Sequence, residues 1–332
     1  MSEKTKLTSI GVIGCYFGKL RPDFAMWLQS CEANPTIDFL VFTDQQWDRL
    51  PENVHFFHMS FLECKKLVQS KFDFQISLSS PYKLCDFKPA FGYIFSEYIK
   101  KYDFWGWCDF DMVFGDIRMF ITEEVLSRYE KILQFGHLSL IRNTMQNNLI
   151  FKRKGEALDY RIVFSQDRIF VFDEIVGIYA YYKHLNIPVY VSPRIIDIST
   201  YMHSALVRAW ELDPYLPYRT VNRRLQTFLV ENGRVYCVYW EQGQIHHEEE
   251  IYLHMSSRKF RAIKANRYLI TKNGFMDIGN QDINKRLIES VNKRLPGAFE
   301  SVEYEWTRLF RAVERRLKHS HSLLKPERVA SN

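Results

Sequence analysis

Asp109 and Asp111 stand two residues apart at the end of an apolar run, Phe104 to Phe110. In extended chain, residues two apart point to the same side, so both carboxylates can face one ion. Hard oxygen ligands leave the remaining coordination positions to water and phosphate oxygens, the usual way magnesium or manganese is held against a nucleotide. Such an ion offsets the charge that builds on a leaving diphosphate. Asp-x-Asp also occurs by chance in surface loops; its place after a strand gives it weight.

Two carboxylates need further ligands. His254 closes the apolar run Ile251-Tyr252-Leu253, where a neutral imidazole can complete the set. Arg258 and Lys259 follow a turn later, where two cations can meet phosphate oxygens. The competing readings are a hydrogen-bonded structural histidine and a solvated basic pair. His246-His247-Glu248-Glu249-Glu250 also invites a metal reading, but adjacent histidines point apart. That acidic run reads as a solvated loop and stays outside the site.

These residues need elements to carry them. Ser9 to Cys15 reads as a buried strand, and from Pro22 a helix places Phe24, Trp27, Leu28 and Cys31 on one face. Ile37 to Thr43 and Val54 to Met59 are further short apolar runs. A helix is expected over Pro89 to Lys100, leading straight into the strand that ends at the aspartates. Strands alternating with helices predict an α/β fold with a mainly parallel sheet covered on both faces. Such sheets bind ligands at the carboxyl ends of their strands, where both Thr43-Asp44 and Asp109-Phe110-Asp111 lie.

The second half changes character. Asn232-Gly233 and Asn273-Gly274, each between apolar runs, predict two hairpins. From Val302 a helical stripe of Val302, Trp306, Leu309, Phe310, Val313 and Leu317 is surrounded by Arg308, Arg311, Arg315, Arg316 and Lys318. The predicted division is a catalytic domain over 1–265 and an extension over 266–332 ending in this basic amphipathic helix. Its apolar face can pack on the domain or rest on a membrane.

The chain has 332 residues with 46% hydrophobic and 25% charged side chains, enough to bury a full core. A net charge of +6 favours anionic partners without choosing among nucleotide diphosphates, acidic lipid and nucleic acid. Six scattered cysteines with no Cys-x-x-Cys pair give neither a zinc site nor a disulfide framework, so a reducing compartment is expected. No uncharged apolar run reaches the ~18 residues that span a bilayer. The expectation is a cytoplasmic chain, with peripheral contact at the inner, anionic membrane face as an option.

Several segments together resemble the bacterial capsule and surface-polysaccharide glycosyltransferases. They are Pro81-Tyr82-Lys83-Leu84-Cys85-Asp86-Phe87-Lys88-Pro89-Ala90-Phe91-Gly92, then Trp105-Gly106-Trp107-Cys108-Asp109-Phe110-Asp111, then Phe114-Gly115-Asp116-Ile117. Gly136-His137-Leu138-Ser139-Leu140, Arg142-Asn143-Thr144, Phe172-Asp173-Glu174 and the Tyr252-Leu253-His254 segment follow in order. The chain differs at Met255-Ser256-Ser257, where related chains tend to have Phe-Gln-Lys, and retains the histidine.

The resemblance, which covers roughly residues 8 to 262, implies a Rossmann-like GT-A fold; the C-terminal helical extension is expected from the stripe after Val302. It implies Mn or Mg at Asp109, Asp111 and His254, and a nucleotide-sugar co-substrate, a UDP-sugar in the first instance. The acceptor would be a saccharide or lipid-linked oligosaccharide in capsule, lipopolysaccharide or exopolysaccharide synthesis. Mapped onto this chain, Thr43 and Asp44 would lie near the base or ribose, and Tyr82, Lys83 and Asp86 near the donor. Arg142 and Asn143 would hold sugar hydroxyls, and Arg258 and Lys259 the phosphates. Asp173 and Glu174 would line the sugar pocket, one taking the acceptor proton if transfer inverts the anomeric centre. Structural alternatives stand beside these: a charged loop for Lys83 and Asp86, a turn at Asn143, a helix-start pair for Asp173 and Glu174. A non-catalytic protein binding nucleic acid or a membrane surface is the competing function; the aromatics, mostly in apolar segments, argue against a nucleic-acid partner.

Overall fold

Along Ile37–Thr43, Phe39 and Val41 face one way and Leu40 and Phe42 the other, and all four are buried. A strand apolar on both faces needs cover on both, and two separate core clusters supply it. The computed structural model describes residues 7–154, 158–202, 204–209, 216–256, 258–292, 302–303 and 305–309.

In chain order the strands are β1 Ile10–Tyr16, β2 Ile37–Thr43, β3 Val54–His58, β4 Phe104–Cys108, β5 Met112–Phe114, β6 Lys131–Ile132, β7 Leu138–Arg142 and β8 Val189–Tyr190. They continue as β9 Ile195–Asp197, β10 Gln226–Glu231, β11 Arg234–Glu241, β12 Gln244–Glu250, β13 Tyr252–His254, β14 Arg267–Thr271 and β15 Gly274–Asp277. A mostly parallel seven-stranded sheet runs β3-β2-β1-β4-β7-β6-β8, with β7 antiparallel to both neighbours. Helix Phe24–Glu32 buries the expected stripe of Phe24, Trp27, Leu28 and Cys31, and helix Phe61–Ser70 starts on a Ser60–Glu63 capping box.

The helix expected over 89–100 is broken. Pro81–Ala90 winds as a 3₁₀ run, followed by single turns Phe91–Ile94 and Ser96–Ile99. The break falls at Phe95, which leaves helical dihedrals (φ −101°, ψ 27°) while its ring stacks 4.2 Å from that of Phe42. Tertiary packing overrides local periodicity here.

The second sheet, β12-β11-β10-β14-β15, is antiparallel, and both expected hairpins form. Asn232 (φ 52°) and Gly233 (φ 75°) take the left-handed pair that a two-residue turn requires. Helix Lys285–Val291 packs Leu287, Ile288 and Val291 against Leu229, Val238 and Leu269 of this sheet. The boundary expected at residue 265 therefore falls inside a layer, because β14 pairs along β10. The acidic run is likewise strand β12, not a loop: Glu250 is fully buried against Arg208, and Glu248 pairs with Arg223 at 2.9 Å. Of the C-terminal stripe, Val302, Trp306 and Leu309 are exposed, while Glu303 accepts from Ser204 N at 2.9 Å; Phe310, Val313 and Leu317 lie outside the described residues. Among the described residues, no helix is long and apolar enough to cross a membrane.

Lys131 on β6 is fully buried, its Nζ donating to the Leu133 carbonyl and Ser139 Oγ, both at 2.6 Å. Burial pushes its ammonium down to about 7, against the pull of Glu174 and Asp173. The unfolded chain keeps this proton to about 10.4. Unfolding between those values takes up a proton, so Lys131 adds stability as pH rises through that window. Lys131→Met should therefore lose ground against wild type by roughly 3 kcal/mol between pH 7 and pH 10 in urea unfolding. Parallel stability curves for the two proteins would rule this out.

Candidate active site

From β1 the chain moves outward to β2 and β3, then returns on the other side of β1 as β4. That reversal opens a crevice at the carboxyl ends of β1 and β4, the place where open α/β sheets take ligands. A chamber of about 340 Å³ lies there, lined by Tyr16, Phe17, Arg21, Phe110 and Lys259. A second, of about 670 Å³, is lined by His137, Asp173, Glu174, Asp197 and His254. Tyr82, Cys85, Lys88, Asp109 and Asp111 line both.

The small sheet β5-β13-β9 brings the histidine to the aspartates. In register His254 lies opposite Met112 on one side and Asp197 on the other. Met255 extends the ladder, its N–H donating to the Asp111 carbonyl at 2.7 Å. His254 Nδ1 then meets Asp197 Oδ1 at 2.8 Å while Nε2 faces Asp111 Oδ1 at 3.3 Å. Burial opposes the charged ring, but Asp111 and Asp197 hold the imidazole well above its ordinary value. Burial also works to raise Asp111, yet His254 and Arg21, the latter at 3.8 Å, bring its carboxyl down to about 2.

Ligand atoms of Asp109, Asp111 and His254 lie within 4.8 Å of one another. His137, Asp197 and His254 form a second such group. One histidine serves only one of them. With Nδ1 held by Asp197, the Nε2 of His254 is left for the aspartate pair, the arrangement in which a carboxylate fixes a ligating imidazole. His137 instead stacks flat on His254, ring centroids 3.8 Å apart, and burial followed by the His254 charge pushes it down to about 4. A divalent ion with oxygen and nitrogen ligands fits the Asp109, Asp111, His254 set.

Lys88 ties this centre to the second chamber. Its buried ammonium donates to Asp109 Oδ1 and Asp173 Oδ2, both at 2.7 Å, and to the Gly136 carbonyl at 3.0 Å. Burial lowers its basicity, but the two carboxylates outweigh that and keep it charged. Burial pushes Asp173 up to about 7, with Lys88 opposing and Glu174 adding to the rise. Glu174 accepts from Gly136 N at 3.0 Å, and burial raises its carboxyl too. Position 136 must be glycine for this: a Cβ there would stand 2.7 Å from Asp173 Oδ2 and 2.8 Å from Glu174 Oε1.

Other expected contacts fall elsewhere. Lys83 and Asp86 are wholly buried; Lys83 Nζ donates to Asp86 Oδ2 at 2.8 Å, and Asp86 accepts from Phe170 N and Phe172 N. They anchor the segment leading to Asp173 and cannot reach a donor. Arg142 lies opposite Phe104 while Leu138 lies opposite Cys108, which puts Arg142 at the far end of β4, about 17 Å along the strand from Asp109. It pairs there with Glu130 at 3.0 Å, and Asn143 caps the carbonyls of Ile99 and Tyr102. Neither can touch a sugar in the chambers. The Arg258 guanidinium donates to the carbonyls of Ser199 and Met202, so of that basic pair only exposed Lys259 lines a chamber. Thr43 is buried, and Asp44 accepts from Gly18 N at 2.9 Å, bracing the loop after β1. Tyr82 is 74% exposed on the rim of both chambers.

Asp197, Lys88, Arg21 and His137 complete the site without having been expected there. Asp197 ends an apolar run as Asp44 and Asp109 do, and Arg21 follows the carboxyl end of β1, so both carried a readable signal. His137 lay in a segment that carried the resemblance but had no signal of its own for the site, since its place beside His254 depends on strand pairing distant in sequence.

Fold and site together define a mixed α/β protein with a cluster of carboxylates and histidines that could hold a cation at the switch point of its main sheet. The chain belongs to DUF6625, a family of unknown function, whose profile matches residues 12–279. No curated protein matches it.

Proposed function

We propose that the protein is a metal-assisted glycosyltransferase of the GT-A kind. It would move a sugar from a nucleotide-sugar, with UDP-sugars first to be tested, to a hydroxyl of a saccharide or lipid-linked oligosaccharide. The observation that carries the reading is the meeting of Asp109, Asp111 and His254 Nε2 on the wall between two chambers. One chamber has cations and aromatic rings suited to a nucleoside diphosphate, and the other has carboxylates suited to sugar hydroxyls.

A divalent cation, when bound, would offset the negative charge of the leaving diphosphate. Asp109, Asp111 and His254 would hold it, while Arg21 and Lys259 meet phosphate oxygens and Tyr16, Phe17 or Tyr82 packs the base or ribose. The sugar carbon's bond to the phosphate oxygen breaks and its bond to the acceptor oxygen forms. On an inverting course the acceptor proton passes to Glu174, whose side chain is 29% exposed against 6% for Asp173. Asp173, fixed by Lys88, would orient the sugar; on a retaining course both carboxylates only orient.

The test is a panel of nucleotide-sugars scored for manganese-dependent hydrolysis and thermal stabilisation. A true donor at 100 times its Kd adds about 2.7 kcal/mol to stability. A nucleotide-sugar turned over fully in the presence of chelator would overturn the proposal. Asp197→Asn should weaken manganese binding by about 10–100-fold in calorimetric titration, because His254 loses the group that orients it. Unchanged affinity would mean that Asp197 does not act through His254.

A further inference from the structure

A third cavity, of about 200 Å³, opens beside the larger chamber and is walled by Arg194, Arg208, Arg219, Arg223, Tyr218 and Glu248. It shares Asp197 and Ala209 with the larger chamber, and shares no lining residue with the one beside β1. The three cavities thus lie in series, with the aspartates and His254 in the middle. Arg194 stands three residues before Asp197, about 10 Å along extended chain.

The charges of this cavity do not cancel. Arg208 is committed to Glu250, and Arg223 to Glu248 at 2.9 Å. Arg194 reaches the same Glu248 only at 3.5 Å and keeps 44% of its side chain exposed. Arg219 is exposed and forms no ion pair among the described residues. Asp197, the other carboxylate in the wall, is taken by His254 and Ser256. Two guanidinium groups are left at the mouth with one shared counter-charge, and guanidinium is the side chain best suited to clasp a carboxylate or phosphate.

We propose that this arginine cavity is a subsite for the anionic group of an acidic saccharide acceptor, holding its carboxylate or phosphate while its hydroxyl enters the adjoining chamber beside Asp173 and Glu174. The proposal rests on the sugar-transfer reading of that chamber. It deepens that reading by naming the acceptor's chemistry: the acceptor is charged, and the charge lies on the side away from the donor.

The experiment titrates glucuronic acid, glucose 6-phosphate and glucose into the full chain with magnesium and UDP present, by ligand-observed NMR. Wild type is compared with Arg194→Ala/Arg219→Ala, two exposed positions whose loss leaves the core intact. At least one of the two acidic sugars should bind wild type, and which one does separates carboxylate from phosphate. Glucose should bind at least about tenfold more weakly, and the double variant should lose at least about tenfold for the acidic sugar, the range of one charged hydrogen bond. Raising salt should weaken the acidic sugar and leave UDP bound. Glucose binding as tightly, acidic sugars unaffected by the double substitution, or no acidic sugar binding at all would each overturn the proposal. UDP and magnesium should bind both proteins alike. If UDP fails to bind while acidic sugars still depend on the arginines, the donor reading fails and the anion subsite stands.

Discussion

Asp111→Ala should reduce metal-dependent turnover of the donor by roughly 10³-fold or more, the scale of losing a cation held against developing phosphate charge. The side chain is the only carboxylate that the His254 Nε2 meets within 4 Å among the described residues, and it also faces Arg21. Removing it takes away one ligand and frees the second to turn. The fold should survive, because the structural bond at this position is the Met255 N–H to the Asp111 main-chain carbonyl, which alanine keeps. Manganese titration and a thermal melt on one sample separate the outcomes. An intact melt with lost manganese binding is expected; full turnover by Asp111→Ala would end the metal-site reading.

Asp86→Ala should cost about 3–5 kcal/mol of stability, the range for leaving one partner of a buried ion pair alone. Asp86 neutralises the Lys83 ammonium and receives the N–H groups of Phe170 and Phe172. After substitution Lys83 would keep a buried charge against only the Val163 and Arg168 carbonyls. Against a typical total of about 5–15 kcal/mol, such a loss threatens folding itself. The urea midpoint is the measurement. Lys83→Met/Asp86→Leu should recover part of the loss by removing the charge, though two main-chain donors stay unpaired. A normal midpoint with weakened nucleotide binding would instead restore these residues to the donor site.

Strands β1 and β2 were legible because each is a short apolar run buried on both faces, and the first hairpin because Asn232-Gly233 tolerates the left-handed turn. The aspartate pair was legible for the same local reason, as acids closing an apolar strand. Long side chains misled. Lys83, Arg142 and Arg258 have the chemistry of phosphate or sugar ligands, yet they are spent respectively on a buried carboxylate, a half-buried carboxylate far from the chambers, and main-chain carbonyls. A charged residue type says what a group can bind and nothing about whether a partner nearer in space has already bound it.

By itself, then, the sequence determined an alternating α/β first half, a hairpin-rich second half, and the two aspartates at a strand end. Only the tertiary structure decided that His254 lies beside Asp111, that Asp197 holds its other nitrogen, and that Lys88 joins Asp109 to Asp173. The reason is separation along the chain. His254 lies beside Met112 and Asp197 through pairing of β13 with β5 and β9, and such register is set by sheet assembly rather than by any local pattern.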